Sequence, residues 1–361
     1  MKYLFLLTAL VLSLWYENTS EEKAFEIYYQ DSIKVEVQLH YQTEQRPEYY
    51  VAHVTTPVCK EGLCHILVVD LYWDLLGNFM RYELPPQRPL TKFDHEEFSE
   101  ADYAKLDKIL ADEYSLLGDH ALGDLVDEST ELVSEEVDAV TGATMKSVEN
   151  TVVSGAVYTT YALWHLVNGE IAQRIPQHTQ SLWNEELLQQ FLKSDQYPYH
   201  YYALDHLSDE QFAYYLPQVM RLMEESSVFV SRYAIQKFPE ALGQDSVAQL
   251  VLTEQFPEAD FTTQNLILEK LAPVPLHTSS LEVLSQPLEQ LSEQQLKTVL
   301  DLLQKNAQNL SEESLLHLTD LLGHTNPAYA RLAYQTVQSL SQQYHHLTNT
   351  LHNYETANAK P

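Results

Sequence analysis

Residues 34–41, 49–54 and 65–73 are rich in β-branched and aromatic side chains and partly alternate apolar with polar positions. That period of two predicts half-buried strands, so residues 21 to about 84 read as a sheet. Asp74, Leu75, Leu76, Gly77 and Asn78 give a hairpin-turn signal into a further strand over 79–84, and Pro85, Pro86 and Pro89 close the region. The period then changes to that of a helix. Ser99, with Asp102 three residues on, forms a capping pattern ahead of Tyr103, Leu106, Ile109, Leu110 and Tyr114 at helical spacing. A second helix is expected from Ser147, with Val148, Val152, Ala156, Thr160, Leu163 and Val167 as its apolar stripe, ending near Asn168 and Gly169.

Beyond Pro176 the pattern is helix after helix with short breaks. Ser208, Ser292 and Ser311 each stand as a helix cap followed by acids, where the positive end of a helix favours them. These readings give an α+β domain over residues 21–175 and an all-α helical-repeat domain over 176–355. The paired amphipathic helices resemble a HEAT-like α-solenoid, although the repeats are too degenerate to fix a period.

Composition supports the division. Of nine glycines, only Gly243 and Gly323 lie beyond residue 170, leaving a Leu-, Gln-, Glu- and Ala-rich stretch of helical character. The chain has 52 acids against 21 bases, a net charge of −31. That balance excludes nucleic acid as a partner, because a phosphate backbone needs a basic face. It also disfavours anionic membrane surfaces. No glycine-rich phosphate cradle of the dinucleotide-binding or P-loop type occurs. Residues 94–138 carry 16 acids and 2 bases, which reads as solvated helix faces and loops; no fixed ligand spacing points to a metal.

The amino terminus opens with Met1, Lys2 and Tyr3 and runs apolar over 4–16 before turning acidic at Glu17. This is the pattern of a secretory signal or membrane anchor over residues 1–20. As a helix the apolar run spans roughly 20 Å, short of a ~30 Å hydrocarbon core. The protein is therefore expected to be exported to the periplasm or cell envelope, with membrane association through this segment if it is retained. In that compartment Cys59 and Cys64, closing a short loop through Gly62, pair most simply as a disulfide. Their spacing is two residues too long for a c-type haem motif.

One heptad carries chemistry: Asp138, Ala139, Val140, Thr141, Gly142, Ala143 and Thr144, followed by Met145, Lys146 and Ser147. Its five specified positions should meet by chance on the order of once in a thousand chains of this length. It resembles the flavinylation motif, Asp-x-x-Ser/Thr-Gly-Ala-Thr, of the FMN-binding domain family found in the C subunit of sodium-pumping NADH:quinone oxidoreductase and the G subunit of Rnf complexes. The resemblance covers roughly residues 60–170. It implies FMN joined through its phosphate to Thr144 by a separate flavin transferase. Gly142 and Ala143 leave the threonine accessible. Asp138 either orients the motif or assists deprotonation, Lys146 supplies a counter-charge, and the expected helix start at Ser147 favours a phosphate. The other reading of Thr141 to Thr144 is a small-residue turn that only caps a helix. Trp73, Tyr158, Tyr161, Trp164 and His165 are aromatic candidates for stacking on the flavin ring, with ordinary core packing as the other reading.

The expected function is extracytoplasmic electron transfer by a covalent flavoprotein with an unknown redox partner, a carrier rather than a stand-alone enzyme. The alternative is a cofactor-free envelope scaffold whose helical repeats bind protein.

Overall fold

The computed structural model describes residues 20–43, 45–58, 66–92, 96–127, 143–144 and 150–358. Packing divides the chain into two compact units, Met1–Leu188 and Gln189–Pro361.

The first unit is built on five antiparallel strands in sequence order: β1 (Ser20–Tyr29), β2 (Ile33–Thr43), β3 (Arg46–Pro57), β4 (Ile66–Trp73) and β5 (Phe79–Glu83). Alternation decides which face is covered. Val35, Val37 and Leu39 of β2, Tyr50, Ala52 and Val54 of β3, and Val69, Leu71 and Trp73 of β4 are all buried. Register sets them side by side, with Tyr50 opposite Trp73, Ala52 opposite Leu71 and Val54 opposite Val69. The opposite face carries His53 against Asp70 at 2.7 Å, and the Arg81 guanidinium 3.8 Å from the Tyr72 ring centroid. The turn between β4 and β5 is the one expected. The Asp74 carboxylate accepts from the backbone N–H groups of Leu76 and Asn78, and Gly77 takes φ +85°.

Helices then cover the sheet. Helix α1 (Glu100–Leu110) begins with the expected capping box between Ser99 and Asp102; Tyr114 lies beyond its end and is exposed. Helices α2 (Val157–Asn168) and α3 (Glu170–Ser181) bond directly to sheet residues. The Trp73 indole N–H donates to the Val167 carbonyl at 2.8 Å, and the Thr179 hydroxyl donates to the Leu75 carbonyl at 2.6 Å.

Two expectations need correction. The second helix starts at Val157, not Ser147, because residues 150–156 form turns with Gly155 at φ +74°. Val152, Val153 and Ala156 are still buried, but as a loop that the Thr160 hydroxyl ties down through the Val153 N–H and the Ala156 carbonyl. The units also divide after Leu188 instead of at 175/176. Pro176 lies inside α3, which continues to Ser181 and stays bonded to the sheet.

After α4 (Glu185–Leu192), within which the division falls, the second unit is all helical: α5 (Tyr197–His206), α6 (Asp209–Tyr214), α7 (Leu216–Glu225), α8 (Val228–Lys237), α9 (Ser246–Glu254), α10 (Phe261–Leu271), α11 (Thr278–Ser285), α12 (Glu293–Lys305), α13 (Glu312–Asp320), α14 (Pro327–Leu340) and α15 (Leu347–Asn358). Every second helix packs against the next of its own set: α5 on α8, then α10, α12 and α14 in one series, and α9, α11 and α13 in the other. Helix starts recur accordingly. The N-cap residues of α8, α10, α12 and α14 are Ser227, Asp260, Ser292 and Asn326, at intervals of 33, 32 and 34 residues. Those of α9, α11 and α13 are Asp245, His277 and Ser311, at intervals of 32 and 34. Ser208, Ser292 and Ser311 all cap as expected.

Buried amides stitch one turn to the next. The Gln249 side chain donates to the carbonyls of Gly243 and Pro275 and accepts from the His277 N–H. The same turn is tied a second time, by the Asn306 side chain, which accepts from the Leu276 N–H and donates to the Leu302 carbonyl.

Candidate functional site

Thr144 is placed by backbone pairing. Ala143–Thr144 forms a two-residue strand, β7, antiparallel to β6 (Val126–Asp127), with Thr144 opposite Val126 and Ala143 opposite Asp127. Immediately before β6, a 3-10 turn over Leu122–Leu125 buries Leu125 completely and packs against α2. The pairing thus fixes the end of the heptad to a segment rooted in the core. Asp138, Thr141, Gly142, Lys146 and Ser147 lie outside the described residues, as do Cys59 and Cys64 and the segment 1–19. The argument from a helix dipole at Ser147 falls with that helix start, since α2 begins thirteen residues beyond Thr144.

The aromatic candidates separate into two kinds. Trp73 and Trp164 are buried, and their indole N–H groups are used on backbone carbonyls, Trp73 on Val167 and Trp164 on Asp112 at 2.9 Å. They are core residues. Tyr161 and His165 are half-buried on α2, their rings 4.1 Å apart, and Tyr158 one turn earlier is half-buried too. His165 Nε2 lies 3.1 Å from the Leu117 carbonyl, which only accepts, so the proton sits on Nε2. Burial pushes its pKa below the usual histidine value, which favours the neutral ring with Nδ1 as acceptor.

A second set of polar groups, not singled out by any sequence motif, joins β3 to α3. The Tyr50 hydroxyl is 2.9 Å from both His178 Nδ1 and Thr179 Oγ1. Because Thr179 spends its proton on the Leu75 carbonyl, Tyr50 donates to Thr179, and His178 must donate from Nδ1 to Tyr50. The chain of bonds is therefore directional. Burial lowers the His178 pKa, against the opposing charge of Glu22.

Among the described residues no group of three or more His, Cys, Asp or Glu side chains is arranged to hold a metal ion, and no helix is long and apolar enough to cross a membrane. Two hollows among the described residues are lined by neither Ala143 nor Thr144. One, of about 300 Å³, opens between α14 and α15 at Arg331, Tyr334 and Tyr354; the other, of about 70 Å³, lies beside His178, Lys23 and Tyr41. Comparison with protein-family models, with curated proteins and with solved structures finds no match for this chain.

Proposed function

We propose that the protein is an exported electron-carrier flavoprotein with FMN linked covalently through its phosphate to Thr144. The observation that carries this reading is the heptad at 138–144. The pairing of Thr144 with Val126 supports it, because attachment at a strand rooted in the core would hold the cofactor to the folded unit. FMN supplies the redox chemistry when bound.

Attachment by a flavin transferase uses FAD as donor. The Thr144 oxygen forms a bond to the FMN phosphorus, the diphosphate P–O bond breaks, AMP leaves, and the hydroxyl proton passes to a base, a role open to Asp138. The attached phosphate then carries a negative charge in an acid-rich stretch in which Asp127 stands opposite Ala143. Lys146 is the nearest base in sequence and is the residue assigned to offset that charge. Tyr158, Tyr161 and His165 remain the candidates for ring contact; Trp73 and Trp164 do not, being core residues with satisfied N–H groups.

The helical unit is assigned to docking a redox partner. We read it as a HEAT-like solenoid in layering, although its 32–34-residue interval is shorter than the ~40–47 of HEAT and armadillo units. Co-expression with a flavin transferase, denaturation and in-gel flavin fluorescence test the reading. A fluorescent band that Thr144→Val abolishes is expected. No covalent flavin, or flavin that survives Thr144→Val, overturns it and favours the cofactor-free scaffold.

A further inference from the structure

Three exposed aromatic residues recur in the first turn of successive helices of one series. Tyr197, Phe229 and Phe261 stand at successive intervals of 32 residues, at the first or second position of α5, α8 and α10, and are 50%, 68% and 58% exposed. These helices pack in order, α5 on α8 and α8 on α10. Their register is in phase. One turn into each helix, Tyr201 packs edge-on against Tyr233 at 4.9 Å, and Arg232 reaches across to Asp260 and Thr263. The rings therefore form rungs along one edge. At the next interval the residue is Glu293, and the apolar row ends there.

The surroundings of the rungs are acidic. Asp195, Glu224, Glu225, Glu258, Asp260 and Glu293 are exposed at or just before the starts of α5, α8, α10 and α12, against Lys193, an Arg232 already bound by Asp260 and a Lys297 already bound by Glu293. We propose that this edge docks an extended basic polypeptide segment with apolar side chains at every third residue. The spacing follows from helix packing. Neighbouring helices lie about 8–10 Å apart. A polyproline II chain rises about 3.1 Å per residue with three residues per turn, so every third side chain returns to the same face one rung further on. A β-strand covers a similar length, but its third residue points to the opposite face. A second copy of this chain fits poorly, since a symmetric contact would set the acids of one edge against those of the other.

The inference gives chemistry to the partner-docking role proposed above and rests on that role, but it needs no flavin at Thr144. The test uses the full chain and a fluorescein-labelled peptide of repeating Leu-Pro-Lys, read by fluorescence anisotropy. Binding is expected, weakened about tenfold or more by Phe229→Ser with Phe261→Ser, as for loss of buried aromatic anchors. Both residues are more than half exposed, so the substitutions do not open the core. Glu225→Lys with Glu258→Lys should weaken the Leu-Pro-Lys peptide and strengthen a Leu-Pro-Glu peptide. Thr144→Val should leave binding unchanged, which separates this result from the fate of the flavin reading. Equal affinity for a Gln-Pro-Lys peptide, or binding indifferent to the Phe substitutions, overturns the proposal. Self-association of the chain that disappears in the double Phe variant overturns it in favour of a second copy.

Discussion

The carbonyl of Ala172 on α3 lies against the Cα of Gly77 at the tip of the β4–β5 hairpin, where a Cβ would overlap it. Ala172 is four residues before Pro176, whose ring leaves no N–H to close that turn of the helix. The carbonyl released by the proline is thus the one over which the hairpin glycine sits. Gly77→Ala would both force a side chain into φ +85° and push the hairpin off α3. The expected cost is about 2 kcal/mol or more, read as a lowered urea midpoint. Gly323→Ala, where nothing stands near the added carbon, should cost far less. Equal effects at the two positions would show that the contact with Ala172 contributes nothing.

Tyr50→Phe should separate hydrogen bonding from packing at the sheet. The ring is fully buried, and its hydroxyl stands between His178 and Thr179. Removing it leaves the His178 Nδ1–H and one Thr179 lone pair without this partner, at a cost of about 1–3 kcal/mol. The second reading is spectroscopic. Nitrogen NMR of the native protein should find His178 as the Nδ1–H tautomer, and a dominant Nε2–H form would refute the directional chain through Tyr50.

Stability should fall on the acid side of neutrality as the buried histidines take up protons. Burial lowers the pKa of His165, His178 and His200 from the ordinary 6.5, so between the folded values and 6.5 the unfolded chain binds more protons. Their stabilisation is complete above about pH 6.5 and declines as the pH drops below it. A second decline belongs to groups with lowered carboxyl pKa values, such as Asp260 at about 2, held by Thr263 and Arg232. Its contribution is present above the unfolded value of 3.8 and is lost as the pH falls toward 2. Urea midpoints measured from pH 8 to pH 5 should decrease, and a flat profile would mean the three rings are protonated freely in the folded state.

What the sequence revealed was whatever local chemistry decides. Alternation located the strands, Asp74 and Gly77 marked the turn, and Ser99 with Asp102 and the serines followed by acids at Ser208, Ser292 and Ser311 marked helix starts. Long-range packing overrode the local pattern elsewhere. Val152 and Ala156 keep helical spacing, yet Gly155 in the left-handed region holds them in a loop, and Pro176 reads as a break but lies within α3 because Arg174 and Thr179, on either side of it, bond to the strand residues Glu26 and Tyr50. The repeat interval escaped because its markers are chemically unlike: Ser227, Asp260, Ser292 and Asn326 fill one capping position with three residue types. A scan for recurrence at 32 residues would have found Tyr197, Phe229 and Phe261. At the candidate site the heptad itself was the whole signal, and of its residues Ala143 and Thr144 are the two that pair with a neighbouring strand.

Gln249→Met tests how the helical unit holds together. The side chain is fully buried and makes three bonds, at 2.8 Å to the Gly243 carbonyl, 2.9 Å to the Pro275 carbonyl and 2.7 Å from the His277 N–H. Methionine fills similar volume, so the change removes polar partners and leaves the packing nearly intact. Two of the orphaned groups, at Pro275 and His277, belong to the turn before α11, one interval further along. The expected cost is about 2–4 kcal/mol: an unsatisfied buried group such as the Gly243 carbonyl costs roughly 1–3, and the less buried groups at Pro275 and His277 regain part of theirs from water. In a chain of repeats that touch mainly their neighbours, the loss should concentrate at this junction. Hydrogen exchange should therefore quicken in α9 and α11 while the β-sheet amides keep their protection. Faster exchange across the sheet by the same factor would show that the two units unfold as one.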